Sequence, residues 1–253
     1  MKGLNRNSKS LLLGQALSFM GDYCALPALL VLSTLYNDVW MTTGVIICRS
    51  VPTIFQPFIG VFVDRLNKIN VMFWTDILRG IVFGIIFFIP QGRFPCLFII
   101  ALFISYGAVV LFNPARLAIM TSLGDEIKRI NTLFAKATTL FIMVGAFTGA
   151  ILTLFELVKY AIIINAVSYL YSAYLIKRIR LGATARKPVS REDFNAFNAE
   201  RKIIADFREG LLAIVGNSRV MNAVLTMLSM AFLWGIMYRY FPIVSKSLEI
   251  GND

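Results

Sequence analysis

Residues 94–112 read Phe94-Pro-Cys-Leu-Phe-Ile-Ile-Ala-Leu-Phe-Ile-Ser-Tyr-Gly-Ala-Val-Val-Leu-Phe112, without one charged side chain. At a rise of about 1.5 Å per residue, a helix of this length comes close to crossing the roughly 30 Å hydrocarbon core of a bilayer. Outward from it lie six more runs of the same kind. Leu11–Leu35, Met41–Val63 and Asn70–Pro90 precede it, and Thr132–Phe155, Tyr160–Ile176 and Val220–Val244 follow. Backbone polar groups in lipid must be bonded within the segment, so seven such runs predict seven transmembrane helices and an all-α integral membrane fold.

Composition agrees. Apolar residues make up 58% of the 253 positions and charged residues 15%, against about 25% charged in a soluble domain. The chain has no histidine, which removes the commonest general base and a common zinc ligand. Its three cysteines, Cys24, Cys48 and Cys96, fall inside apolar runs and read as small buried hydrophobes, with neither metal-ligand nor disulfide spacing. No nucleotide loop or nucleophile–base pair is present, so the chain reads as no enzyme, without cofactor or metal.

The formal net charge of +11 reflects topology, not nucleic-acid binding. Lys2, Arg6 and Lys9 precede the first span, Arg65 and Lys68 follow the second, and Arg116, Lys128 and Arg129 follow the fourth. Ten Lys and Arg residues lie between Lys177 and Arg219. The opposite connections, Tyr36 to Trp40, Gln91 to Arg93 and Glu156 to Lys159, are short and nearly free of cations. By the positive-inside rule the amino terminus is cytoplasmic, with anionic headgroups of a plasma or inner membrane as counter-charge.

Three segments follow: residues 1–176 with six spans, a linker at 177–219, and a seventh span within 220–253. In the linker, Ser190 and Asp193 form a capping-box pattern, and Phe194, Phe197, Ile204, Phe207, Leu211 and Val215 recur at helical spacing. They predict an amphipathic cytoplasmic helix, serving as a tether or as a regulatory element.

After span two the chain reads Gly60-Val-Phe-Val-Asp64-Arg65-Leu-Asn-Lys68. This G-x-x-x-D-R-x-x-K pattern resembles the signature loop of the major facilitator superfamily. Gly14-Gln15, Ser18 and Gly21-Asp22 in span one, Arg49-Ser-Val-Pro52 in span two and Asp76-Ile-Leu-Arg79 in span three are similar to its drug and siderophore exporters. Asn113-Pro114-Ala115-Arg116 and Asn131-Thr-Leu133 are similar to its macrolide-efflux and enterobactin-export branch. The resemblance implies a six-helix half made of two inverted three-helix repeats, with spans one, two, four and five lining a cavity at mid-depth. It also implies a secondary transporter, an efflux system for a small amphipathic compound such as a drug, macrolide or siderophore, with protons as the coupling partner. Because that family has twelve spans in two halves, the resemblance predicts a missing second half, through truncation or an incomplete sequence. A truncated, non-transporting scaffold or remnant is therefore the alternative reading.

Candidate site residues follow. The resemblance makes Gly60, Asp64, Arg65 and Lys68 a cytoplasmic gate in which Asp64 pairs with Arg116. Gly145-Ala-Phe-Thr-Gly149 resembles the superfamily's antiporter motif, with Ala146 where proline is expected; it also reads as a small-x-x-x-small helix contact. Asp22, Arg49, Asp76 and Arg79 are charges at membrane depth, where charge is expensive and marks function or a buried pair. Asp76 and Arg79, three apart, can pair on one helix, or act in gating or substrate contact. Asp22 is near the midplane, a candidate coupling carboxylate or one half of a static ion pair, and depth alone admits Arg49 or Arg79 as its partner. Phe19, Tyr23 and Phe141 suit an apolar, weakly cationic drug, or serve as core or lipid-facing residues.

Overall fold

A computed structural model describes residues 5–36, 38–63, 66–122 and 127–179, and scattered positions between 212 and 236. The chain divides into two units, Met1–Val189 and Ser190–Asp253.

The described residues of the first unit form seven helices: α1 (Arg6–Thr34), α2 (Val39–Ile54), α3 (Gln56–Val63), α4 (Lys68–Phe88), α5 (Pro95–Thr121), α6 (Ile127–Leu154) and α7 (Val158–Lys177). Each of the six apolar runs read from this part of the sequence falls on helix. The run at 41–63 is divided at Phe55, whose amide bonds back to the Pro52 carbonyl at 3.1 Å. Pro57, having no amide hydrogen, cannot continue the ladder across the break. Among the described residues, four helices are long and apolar enough to cross a bilayer: α1, α4, α5 and, over Arg129–Leu154, α6.

Local chemistry sets the ends. The Asp38 side chain accepts from the Trp40 amide and caps α2, while Asn67 accepts from Ile69 and Asn70 and caps α4. Gly92, at φ +71°, makes the turn between α4 and α5, and a Cβ there would press to 3.0 Å on the Leu35 carbonyl. The Tyr36 hydroxyl donates to the Arg93 carbonyl at 3.0 Å and ties the two neighbouring connections together.

Lipid is as apolar as leucine, so helices in a bilayer are held by close packing rather than by expulsion of water. Helix α1 packs against both α6 and α7, and small residues bring it close to each. A Cβ on Gly145 of α6 would collide with the Met20 carbonyl of α1, and one on Gly149 with the Cys24 carbonyl a turn further on. Gly21 of α1 likewise leaves room only for Ser168 and Asn165 of α7. An apolar cluster including Leu11, Val63, Met72, Ile119, Ile130 and Ile176 joins one end of the bundle. The outward face of α6 carries Leu140, Met143, Phe147 and Leu154 exposed, as a lipid-facing surface would. Cys24 and Cys48 are buried as expected, but Cys96 is exposed because it lies in the first turn of α5.

In the second unit, the described positions between 212 and 236 other than Asn217 are helical, with Met221 bonded to the Asn217 carbonyl at 2.9 Å and Leu225, Met230, Phe232 and Leu233 exposed. The predicted linker helix lies outside the described residues apart from Leu212 and Val215, which are exposed, and most of the seventh span lies outside them as well.

Candidate functional site: a buried charge network beside a cavity

Asp22, Arg79 and Tyr169 each stand near the middle of their helices, α1, α4 and α7. Arg79 Nη2 reaches Asp22 Oδ2 at 3.2 Å and Oδ1 at 3.3 Å. The same nitrogen donates to the Tyr169 hydroxyl, which in turn donates to Asp22 Oδ1, closing a triangle across three helices. The guanidinium also lies 3.9 Å from the Tyr169 ring centre, and Phe83 backs that ring at 5.6 Å. Asp76, one turn before Arg79, is fully buried and reaches Arg79 Nη1 at 3.8 Å. Ser172 of α7 is the hydroxyl nearest in reach of its carboxylate. Of the two candidate partners for Asp22, the structure selects Arg79, and it also places Asp76 and Arg79 together on α4.

Arg49 sits elsewhere in the same site, 5.5 Å from the ring centre of Tyr23 and 5.8 Å from that of Tyr106. Arg116 lies against Phe134 at 5.3 Å and Phe19 at 5.8 Å. These groups border one cavity of about 170 Å³, whose lining includes Gln15, Phe19, Asp22, Tyr23, Arg49, Arg79, Tyr106 and Arg116. Its walls come from α1, α2, α4 and α5. Phe141, half-buried on α6, is not among its lining residues.

Of the predicted gate, Gly60 lies on α3 with Pro114 beside it, and Lys68 opens α4. Asp64 and Arg65 lie outside the described residues, and no described carboxylate comes within 4 Å of Arg116. Gly145 and Gly149 pack on α1 as described above.

Tyr169 was missed in the sequence, although a signal was present. Asn165, Ser168, Tyr169 and Ser172 recur at i, i+3, i+4 and i+7 and give an otherwise apolar helix one buried polar stripe.

Apolar membrane-length helices, close-packed through glycine and closed over a buried ion pair beside a cavity, define a multi-pass helical membrane protein. Residues 11–251 match the model of the Major Facilitator Superfamily, and the chain belongs to that family. Among curated relatives, it is 54% identical over its whole length to the "Putative bacilysin exporter BacE" of Bacillus subtilis (strain 168), and 54% identical to the protein of that name in Bacillus amyloliquefaciens. It covers 62% and 63% of those two proteins. It is 28% identical, over 77% of its length and 46% of the relative's, to the "Uncharacterized MFS-type transporter YkuC" of Bacillus subtilis (strain 168). No solved structure matches it.

Proposed function

We propose that this chain supplies the amino-terminal six-span half, and the first span of the second half, of a secondary transporter. The transporter exports a small compound across the cell membrane and is driven by protons. The observation that carries this reading is the Asp22–Arg79–Tyr169 triangle on the edge of the cavity. It spans three helices, so a change in any member bears on how they pack. With Asp22 ionised, α1, α4 and α7 are held together by the ion pair and the phenol. A proton on Asp22 removes the charge that Arg79 faces and frees the guanidinium for Asp76 or for a ligand. Proton binding at Asp22 and ligand binding at Arg79 are thereby linked, and that linkage couples their movements.

Export of bacilysin or a related compound is the cargo suggested by the relatives' name. The amino terminus faces the cytoplasm, from the charge asymmetry of the connections, and the linker at 177–219 lies on the same side. The test uses everted membrane vesicles containing the full gene product that carries this chain. Bacilysin should accumulate inside when an acid-inside gradient is imposed, and collapse of the gradient should abolish uptake. Accumulation that is unaffected by the gradient would remove proton coupling. No accumulation above empty vesicles would remove bacilysin as cargo.

A further inference from the structure

Arg79 stands between two carboxylates in different settings. Asp22, on α1, keeps 15% of its side chain exposed and lines the cavity. Asp76, on α4, has none exposed and is not among the lining residues. Nη2 of Arg79 is committed to Asp22, while Nη1 stops 3.8 Å from Asp76 Oδ1, beyond hydrogen-bond distance. Nε is buried without a hydrogen-bond partner among the described residues, so Asp22 does not saturate the guanidinium. A shift of about 1 Å would bring Nη1 to a charge-assisted hydrogen bond with Asp76.

The two pairings differ in the helices they join. Helices α1 and α4 both pack on α7, and the Asp22–Arg79 pair bridges from one to the other. The Asp76–Arg79 pair is i, i+3 within α4 and ties that helix only to itself. Helix α7 serves both acids: Tyr169 donates to Asp22, and Ser172, three residues on, is in reach of Asp76. The Tyr169 ring lies 3.9 Å from the guanidinium, and a ring face holds a cation without fixing which oxygen it meets. The other charged or titratable groups on the cavity lining are Tyr23 of α1, Arg49 of α2, and Tyr106 and Arg116 of α5, and α6 brings none to it. Asp22 is therefore the acid that a proton arriving through the cavity meets among the described lining residues. Once it is neutral, Asp76 is the remaining charge facing Arg79, and its full burial makes that pairing the favoured one.

We propose that Asp76 is a positioning residue: when Asp22 takes a proton, Arg79 transfers to Asp76, and an ion pair between α1 and α4 becomes one within α4. The inference rests on the transport reading and names the step by which a proton releases α1 from α4.

Two measurements on the full gene product that carries this chain test it. The first is driven transport in proteoliposomes against pH, with both faces moved together at a constant gradient. Asp76→Asn removes the charge that receives Arg79, so Asp22 binds its proton less readily. The alkaline limb of the profile should move to the acid side by about one pH unit or more. Met72→Ala, at a fully buried position one turn earlier on α4, removes packing without a charge and should lower the rate with the limb in place. An unmoved limb in Asp76→Asn would overturn the proposal, as would an equal shift in Met72→Ala. The second measurement is thermal unfolding. With Asp22→Asn in place Arg79 depends on Asp76, so adding Asp76→Asn should lower the melting midpoint by about twice as much as it does in the parent, or more. If the double variant does not fold, adding Arg79→Met should restore folding, and no restoration would overturn the proposal. Unfolding requires no transport, so the two readings fail separately. Transport by the parent that ignores the gradient would overturn the transport reading alone, and additive melting losses beside gradient-driven transport would overturn this one alone.

Discussion

Replacing Arg79 by methionine keeps most of the side chain's volume and removes one charge from the middle of the bundle. Two carboxylates lose their partner, Asp22 with 15% of its side chain exposed and Asp76 with none. Breaking a buried ion pair on one side costs about 3–5 kcal/mol, because the remaining charge stays desolvated. For a unit of this size about 2–4 °C accompanies each kcal/mol, so Arg79→Met should lower the melting midpoint by about 6–20 °C. Tyr169→Phe is the graded comparison. It keeps the ring over Arg79 and against Phe83 and removes only the hydroxyl, at about 1–2 kcal/mol. Neutralising all three charged members (Asp22→Asn, Asp76→Asn and Arg79→Met together) should regain much of the loss, since no charge is then left unpaired. The assay is thermal unfolding in detergent followed with a thiol-reactive dye, which reports exposure of the buried Cys24 and Cys48 once the exposed Cys96 is replaced by serine. An Arg79→Met midpoint within about 2 °C of the parent would refute the reasoning, because such a charge would not be holding the three helices together.

Two further outcomes follow from packing and from charge. Gly145→Ala and Gly149→Ala would each drive a methyl group into an α1 carbonyl and should cost about 1–3 kcal/mol, whereas Gly84→Ala and Gly107→Ala, with open space around them, should be neutral or gain up to about 1 kcal/mol; the same melting assay reads all four. Single cysteines at the exposed positions Arg93 and Ser122, in a background without the native cysteines, should label from opposite sides of intact cells with an impermeant reagent, Arg93→Cys from outside. Labelling of Ser122→Cys from outside would invert the topology.

The helices were legible in the sequence because bilayer thickness imposes a length on each apolar run, and the six runs in the first unit fall on helix. The division of the second run at Phe55 was not, although Pro52 and Pro57 flank it, because hydropathy averages across a kink. Asp76 and Arg79 were readable as a pair from their i, i+3 spacing. Asp22 was readable as important but not as Arg79's partner: depth admitted Arg49 equally, and the contact of Asp22 on α1 with Arg79 on α4 is a relation between distant helices. The glycines at 145 and 149 are helix contacts in the structure. The expectation of a weakly cationic ligand came from aromatic residues alone. In the structure Arg116 lies against Phe19 and Arg49 against Tyr23, a relation between helices that no local pattern reveals, while Phe141 is not among the cavity's lining residues.

The central claim, that the Asp22 network couples proton movement to export, meets its most direct test in proteoliposomes containing the full gene product with Asp22→Asn. The amide keeps the side chain's shape and can still accept from Arg79 and Tyr169, but it cannot take up and release a proton. With an imposed pH gradient, driven transport should fall to the level of empty liposomes, while substrate binding and gradient-independent exchange persist. Driven transport by Asp22→Asn at the parental rate would contradict the account.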